Sequence, residues 1–255
     1  MESVLDIIFP KTCSICSRKG TYLCSECKKF FKKTLPECYV CRRISKNYNT
    51  HDFCKGSNRL NRIFVCWEYN SLTSGLLRKY KYGYVYDIDN ILSGFVVERI
   101  GETNFIGTLK DSLLINIPIS SSRLNERGFN QTYNVTRKIS ETFNLRFSEH
   151  LIGRKHSFEH QAFKDKDERL YMSEDEFFLL ERKDAQNFNS ITIVDDVITT
   201  GSTLEAATLY LRKEFGEKLI VNAICIFRGR PFYSATDPKL KSGDNGLDFS
   251  SEDSS

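Results

Sequence analysis

The chain has 255 residues, 40% hydrophobic, 13% aromatic and 27% charged, with a formal net charge of +4. This is the composition of a folded protein with room for one large domain or a main domain plus an appendage, and it excludes a disordered or collagen-like chain. No stretch approaches the roughly 18 uncharged apolar residues of a membrane span, and the opening MESVLDIIFPK lacks a basic leader and a long apolar run, so a cytoplasmic protein is expected.

The charge is uneven. Residues 1–62 hold 13 Lys and Arg against 5 Asp and Glu, and residues 234–255 hold 2 against 5, which leaves the middle near neutral. The basic N-terminal part also carries three C-x-x-C pairs, Cys13/Cys16, Cys24/Cys27 and Cys38/Cys41, followed by His51-x-x-Cys54. A two-residue gap lets both thiolates of a tight turn reach one ion, and two such knuckles complete the tetrahedral shell that Zn²⁺ prefers. Eight ligands make two structural zinc sites and a module over residues 1–60. Disulfides would need an oxidising compartment, and a redox C-x-x-C usually occurs once. Spacing leaves two connectivities open: sequential pairing, which the short gap between the first two knuckles favours, and an interleaved cross-brace. Cys66 and Cys225 lie in apolar runs and read as small buried hydrophobes.

Lys28, Lys29, Lys32 and Lys33, with Phe30 and Phe31 between them, and then Arg42 and Arg43, have the charge and aromatic interleaving of a nucleic-acid surface. The same residues also read as a solvated helix face with both phenylalanines turned inward. Beyond this module, periodicity predicts a strand at 63–69, helices near 71–81 and 87–100, a strand at 113–119, a helix at 128–143 and a strand or flap over 146–163. A short helix near 165–172, strands at 176–180 and 190–195, a helix at 202–215 and a strand at 219–227 follow. The alternation argues for an α/β domain over residues 61–233, with a parallel sheet and helices on both faces. From Ser234 the turn-forming, acidic sequence is expected to be a disordered tail.

Two segments carry chemistry. ITIVDDVITTGST ends a strand in Asp195 and Asp196, then runs through Thr199, Thr200, Gly201, Ser202 and Thr203 into a helix. A helix N-terminus with a glycine and hydroxyls suits a phosphate, whereas two carboxylates beside it suit sugar hydroxyls. A simple N-cap needs one Ser or Thr, and this turn has more. NIPISSSRLNERGFNQ runs from a strand into Ser120, Ser121 and Ser122 and then Arg123 and Arg127, whose guanidinium forks match a pyrophosphate.

IVDDVITTGST resembles the phosphoribosyl pyrophosphate motif of type I phosphoribosyltransferases. The resemblance implies that Asp195 and Asp196 hold the ribose hydroxyls and residues 199–203 the 5′-phosphate. Together with the double zinc ribbon, P-x₄-R-x₃-RGFNQ looks like the ComF (ComFC-type) competence family, over roughly residues 5–230. That family implies a phosphoribosyltransferase sheet behind a zinc ribbon, Lys81 of KYKYG as a ligand-facing base, and phosphoribosyl pyrophosphate with Mg²⁺ as ligand. Single-stranded DNA and the DNA-uptake machinery would be its partners. After Leu151 the chain keeps the family's Arg154, Gln161 and Arg169, and departs from it at His156, Phe158, Lys164 and Met172; Ser120 also replaces a frequent histidine. Two other functions fit the same residues: nucleobase salvage, or a catalytically inactive, ligand-sensing DNA-binding factor.

Overall fold

The computed structural model describes residues 11–82, 86–155, 176–182, 185 and 187–229. The expected short helix at 165–172, most of the expected flap with Gln161, Arg169, His156, Phe158, Lys164 and Met172, and the tail from Ser234 lie outside the described residues.

Short, mainly apolar runs build a five-stranded sheet. Its strands are β1 (Arg62–Glu68), β2 (Ser112–Asn116), β3 (Phe147–Ser148), β6 (Ser190–Ile198) and β7 (Ile220–Arg228). The spatial order is β1-β7-β6-β2-β3 and every pairing is parallel. Two further strands, β4 (Ile152–Arg154) and β5 (Phe177–Leu179), form a separate antiparallel pair. Along the main sheet Ile63, Val65, Leu113, Ile115, Ile191, Ile193 and Ala223 enter one hydrophobic cluster, while Phe64, Cys66, Leu114, Val194 and Ile224 enter another. That period of two is the signature of strands buried on both faces. Cys66 and Cys225 are wholly buried there, as expected of small hydrophobes.

Helices cover both faces. α1 (Ser25–Lys28) is a single turn, and α2 (Ser71–Tyr82), α3 (Tyr86–Gly101), α4 (Ser121–Arg127), α5 (Gln131–Phe143) and α6 (Ser202–Phe215) follow. Asn70 starts α2 by accepting the N–H groups of Leu72 and Thr73, both at 2.9 Å, while Thr73 Oγ1 accepts the Asn70 N–H at 2.9 Å. This reciprocal cap satisfies donors a helix start would otherwise leave orphaned. α2, α3 and α5 bury Leu76, Leu92, Val96, Val135 and Ile139 against one face, and α6 buries Leu204, Ala207 and Leu211 against the other. The expected α/β architecture with a parallel sheet and helices on both sides is thus what forms.

Three local expectations are corrected. The helix expected at 128–143 is preceded by α4, because Gly128 at φ +75° ends that short helix and Asn130 starts α5 by accepting the Thr132 N–H at 3.1 Å. Strand β6 runs past the two aspartates, since Asp195, Val197 and Ile198 still pair with β7. The helix-like stretch after Cys24 stops at Lys28, and Lys32 to Thr34 run antiparallel along β1, with the Glu68 N–H donating to Lys32 O at 2.9 Å. Leaving the helix there turns Phe31 into a cage with Trp67 and Phe95 and leaves Phe30 59% exposed. The pairing also covers an edge strand that would otherwise be free to template aggregation.

The cysteine-bearing segment is built into the sheet. Cys13, Leu23, Cys24, Cys27, Phe31 and Tyr48 belong to the cluster beneath α2 and α3, whereas Tyr39 and Leu60 belong to the cluster beneath α6. Arg212 of α6 ties the second contact: its guanidinium donates to the carbonyls of Ser57 at 2.6 Å, Arg59 at 2.9 Å and Leu219 at 3.2 Å, and to Asn61 Oδ1 at 3.1 Å. Replacing it leaves these acceptors without their donor. Arg212→Leu is expected to cost about 3 kcal/mol and to lower Tm by several degrees in differential scanning calorimetry; a Tm unchanged within a degree would refute the clamp.

Candidate functional site

The sheet has one switch point. After β2 the chain continues through α4 and α5 toward β3 on one side, and after β6 it continues through α6 toward β7 on the other. The carboxyl ends of β2 and β6 therefore open a crevice that, among the described residues, no connection closes, the usual ligand position in open parallel sheets. The Ile117 N–H donates to Val194 O at 2.9 Å and fixes the spacing of the two strand ends.

A cavity of about 130 Å³ occupies this crevice, lined among others by Lys81, Arg123, Arg127, Arg154, Asp195, Asp196 and Thr203. A smaller one of about 30 Å³, sharing Asp195, Val197 and Thr203, is walled by Thr199, Gly201 and Ser202. Residues from α2, α4, β4, β6 and α6, far apart in sequence, thus meet around one opening. Lys81 Nζ lies 2.6 Å from Asp196 Oδ2, and Asp195 Oδ1 accepts the Asp196 N–H at 2.7 Å. Atoms crowd Asp195, and burial, then the neighbouring Asp196 charge, push its carboxyl up to about 7; the Asp196 N–H, Lys81 and Arg154 pull the other way.

The hydroxyl-rich turn heads α6. Gly201 stands at its N-cap with φ +92°, a conformation glycine adopts without a β-carbon clash, and the neighbouring Thr200 Oγ1 accepts the Ser202 N–H at 3.4 Å. Thr200 Oγ1 donates to Ser202 Oγ at 3.2 Å. The first turn of a 14-residue helix with its positive dipole end therefore faces the smaller cavity beside the two carboxylates.

The other expected residues spread out. Arg123 is exposed at the cavity rim, while Arg127 is buried and donates to Gln131 Oε1 at 2.9 Å. Ser120 is buried with its hydroxyl 3.0 Å from that of Ser122, and Ser121 lines a neighbouring cavity of about 440 Å³ that shares Pro118, Ile119, Asn130 and Arg154 with the first. Of the basic residues, Lys28 sits over the Phe95 ring, Lys29 pairs with Glu26 at 3.0 Å and Lys33 with Glu102 at 2.7 Å; Lys32 and Arg43 are exposed. Arg42 turns toward the hydroxyl loop and donates to Thr199 O at 2.9 Å. Nothing local in the sequence marks Tyr39, Arg59 or Glu205, yet these three form a hydrogen-bonded group at the start of α6.

The eight metal-ligand candidates gather into two sets paired sequentially: Cys13, Cys16, Cys24 and Cys27, then Cys38, Cys41, His51 and Cys54, with ligand atoms in each set within 4.8 Å of one another. Cys16 and Cys24 sulfurs are 3.7 Å apart, against about 3.8 Å for two thiolates on one tetrahedral Zn²⁺. Cys41 Sγ is 3.2 Å from His51 Nδ1. All nine cysteines are free thiols. Burial and then the neighbouring thiols push the Cys27 thiol up, and at Cys13 backbone N–H groups outweigh burial and bring it down to about 6. Neighbouring thiols that resist ionising together are what a dication relieves, and both sets could hold Zn²⁺.

No protein-family model matches the chain. Among solved structures it is similar to a hypoxanthine phosphoribosyltransferase from Staphylococcus aureus, at 12% identity and a TM-score of 0.34, covering 59% of this chain and 71% of that one. It is also similar to an adenine phosphoribosyl transferase from Trypanosoma brucei, at 10% identity and a TM-score of 0.32, covering 74% and 93%. These superpositions are loose, and the fold rests on the sheet order itself. Among curated proteins the chain is 27% identical over 195 residues to competence protein F of Haemophilus influenzae, covering 75% of this chain and 84% of that protein. With the competence protein ComFC of Bacillus subtilis the identity is 30% over 211 residues, covering 75% and 83%, and on that relationship the chain belongs to the ComF competence-protein family.

Proposed function

We propose that the chain binds phosphoribosyl pyrophosphate with Mg²⁺ in the crevice between β2 and β6, and handles single-stranded DNA during uptake. The observation that carries the first part is the meeting at one switch point of adjacent carboxylates, a glycine-headed helix N-terminus and the cations Lys81 and Arg123. The names of the two curated relatives, competence protein F and competence protein ComFC, support the second part.

Each residue has a task in this reading. Asp195 and Asp196 accept hydrogen bonds from the ribose hydroxyls, and Thr199 to Thr203 take the 5′-phosphate on hydroxyls and N–H groups. Sugar hydroxyls that replace Lys81 on Asp196 free its ammonium for the pyrophosphate, where Arg123 joins it. Mg²⁺ supplies charge neutralisation on that pyrophosphate. Asp195 and Asp196 are the carboxylates lining the two cavities, a donor set suited to an ion that keeps most of its shell from ligand phosphates and water. With an acceptor base present, a ring nitrogen bonds to the sugar C1 as the C1–O bond breaks. Pyrophosphate leaves with the electron pair and the acceptor's proton passes to solvent. Lys81 and Arg123 stabilise the developing charge.

The DNA part rests on Phe30, exposed among Lys28, Lys29, Lys32 and Lys33, with Arg43 exposed farther along the segment. An exposed ring among cations offers a stacking platform for an unpaired base.

Three measurements test this. Calorimetric titration with Mg²⁺ and phosphoribosyl pyrophosphate is expected to show binding that disappears in Asp195→Ala/Asp196→Ala; no heat from the parent protein would sink the reading. Fluorescence anisotropy with an oligodeoxythymidine is expected to show Phe30→Ala weakening binding by about 1–3 kcal/mol, and Lys32→Ala lowering the salt slope by about 0.7; parent-like curves from both variants would remove this face from DNA binding. The third measurement follows from linkage. A carboxyl that titrates near 7 when folded and near 3.8 when unfolded takes up a proton on folding between those values, so its contribution to stability falls as pH rises from about 4 to 7. Asp195→Asn escapes that loss. Its Tm is expected to gain on the parent's between pH 5 and pH 8, and a pH-independent difference would show that Asp195 ionises normally.

A further inference from the structure

Both described C-x-x-C knuckles with a following left-handed residue close in the same way. Ser17 and Arg42, each next after the second cysteine, stand at φ +60° and +63°, and their N–H groups donate to Cys13 O and Cys38 O at 2.9 Å. Glycine meets this backbone requirement freely, whereas a residue with a β-carbon is held there at a cost. At position 42 the side chain reaches the phosphate loop: Arg42 Nη2 donates to Thr199 O at 2.9 Å, and Nη1 lies 3.4 Å from the Glu37 carboxylate. Because a trans peptide is rigid, holding the Thr199 carbonyl also fixes the direction of the Thr200 N–H.

Tyr39, next after the first cysteine of the same knuckle, holds the other end of the loop. Its ring packs against Gly201 so closely that a β-carbon there would sit 3.3 Å from Tyr39 Cε2. Its hydroxyl donates to Glu205 Oε1 at 3.0 Å in the first turn of α6 and accepts the Leu60 N–H at 3.2 Å, and Arg59 pairs with the same carboxylate. The first cysteine set packs into the cluster on the opposite face of the sheet.

We infer that the Cys38/Cys41/His51/Cys54 site and the loop at 199–203 are coupled, with Tyr39 and Arg42 as the positioning residues: metal there shapes the loop for its ligand, and ligand raises the affinity for that metal. The inference rests on the phosphoribosyl pyrophosphate reading for its ligand. Both residues hold their directions only while the knuckle between Cys38 and Cys41 keeps its turn, which is what a bound ion enforces. Coupling between two sites is reciprocal, so the factor by which the metal improves ligand affinity is the factor by which ligand improves metal affinity.

The experiment uses the full chain loaded with zinc. Arg42→Gly suits φ +63°, so it is expected to fold with two zinc ions per chain while losing the strut. In that variant affinity for Mg²⁺ and phosphoribosyl pyrophosphate is expected to fall about tenfold, with Arg42→Lys recovering part and Tyr39→Phe losing a smaller factor. In the parent protein that ligand is expected to raise the concentration of a chromophoric chelator needed to remove one of the two zinc ions at equilibrium, and Arg42→Gly to cancel the rise. Parent-like affinity in Arg42→Gly, or a zinc affinity of the parent that ignores the ligand it binds, overturns the coupling. If the parent binds no ligand, the phosphoribosyl reading has failed instead, and amide hydrogen exchange over 199–203 without ligand still decides the strut: faster exchange in Arg42→Gly supports it and unchanged exchange overturns it.

Discussion

The parallel ladder between β2 and β6 is the joint on which the rest depends. Its strands are sealed on both faces by Leu113, Ile115, Ile191 and Ile193 on one side and Leu114 and Val194 on the other, so they cannot slide without exposing a core. The chain leaves the two strands in opposite directions, so polar side chains converge in the crevice between their ends without a connection covering them among the described residues. Asp195 and Asp196 emerge there from a buried strand, which explains both their proximity and the raised pKa of the first.

The charge arrangement follows from that placement. Two adjacent carboxylates at the rim of a core repel one another, and the described structure meets the repulsion with Lys81 on one and a backbone N–H on the other. Such a site is costly to the folded state and useful to a ligand that brings hydroxyls and phosphates, because it exchanges an internal ion pair for external ones.

A segment of about fifty residues with few large apolar side chains has little core of its own. In this chain it borrows both cores of the sheet: Phe31 and Tyr48 enter one, Tyr39 and Leu60 the other, and the strand-like pairing at Lys33 closes the edge of β1. The same docking that stabilises the metal-ligand sets brings the second of them against the head of α6. Glu205 is the meeting point, since Tyr39 and Arg59 from the cysteine segment both bind it.

Patterns that are local in the chain were legible without a structure. C-x-x-C spacing, three times over and followed by His51-x-x-Cys54, declares ligand-bearing turns because a two-residue gap lets both side chains of a tight turn reach one ion. The run from Ile191 to Thr203 declares a strand, an acidic pair and a glycine- and hydroxyl-rich helix start, because each is a property of neighbouring residues. The strand and helix alternation likewise implied a parallel α/β sheet. Tertiary structure alone decided which knuckles share a set, that the strand continues past the aspartates, that Phe31 faces in while Phe30 faces out, and that Arg127 is buried against Gln131. It alone also brought Arg42 to a carbonyl 157 positions away. The physical reason is the same throughout: periodicity and spacing record what a residue does to its neighbours in the chain, while burial and long-range pairing are fixed only when distant segments compete for the same face of one sheet.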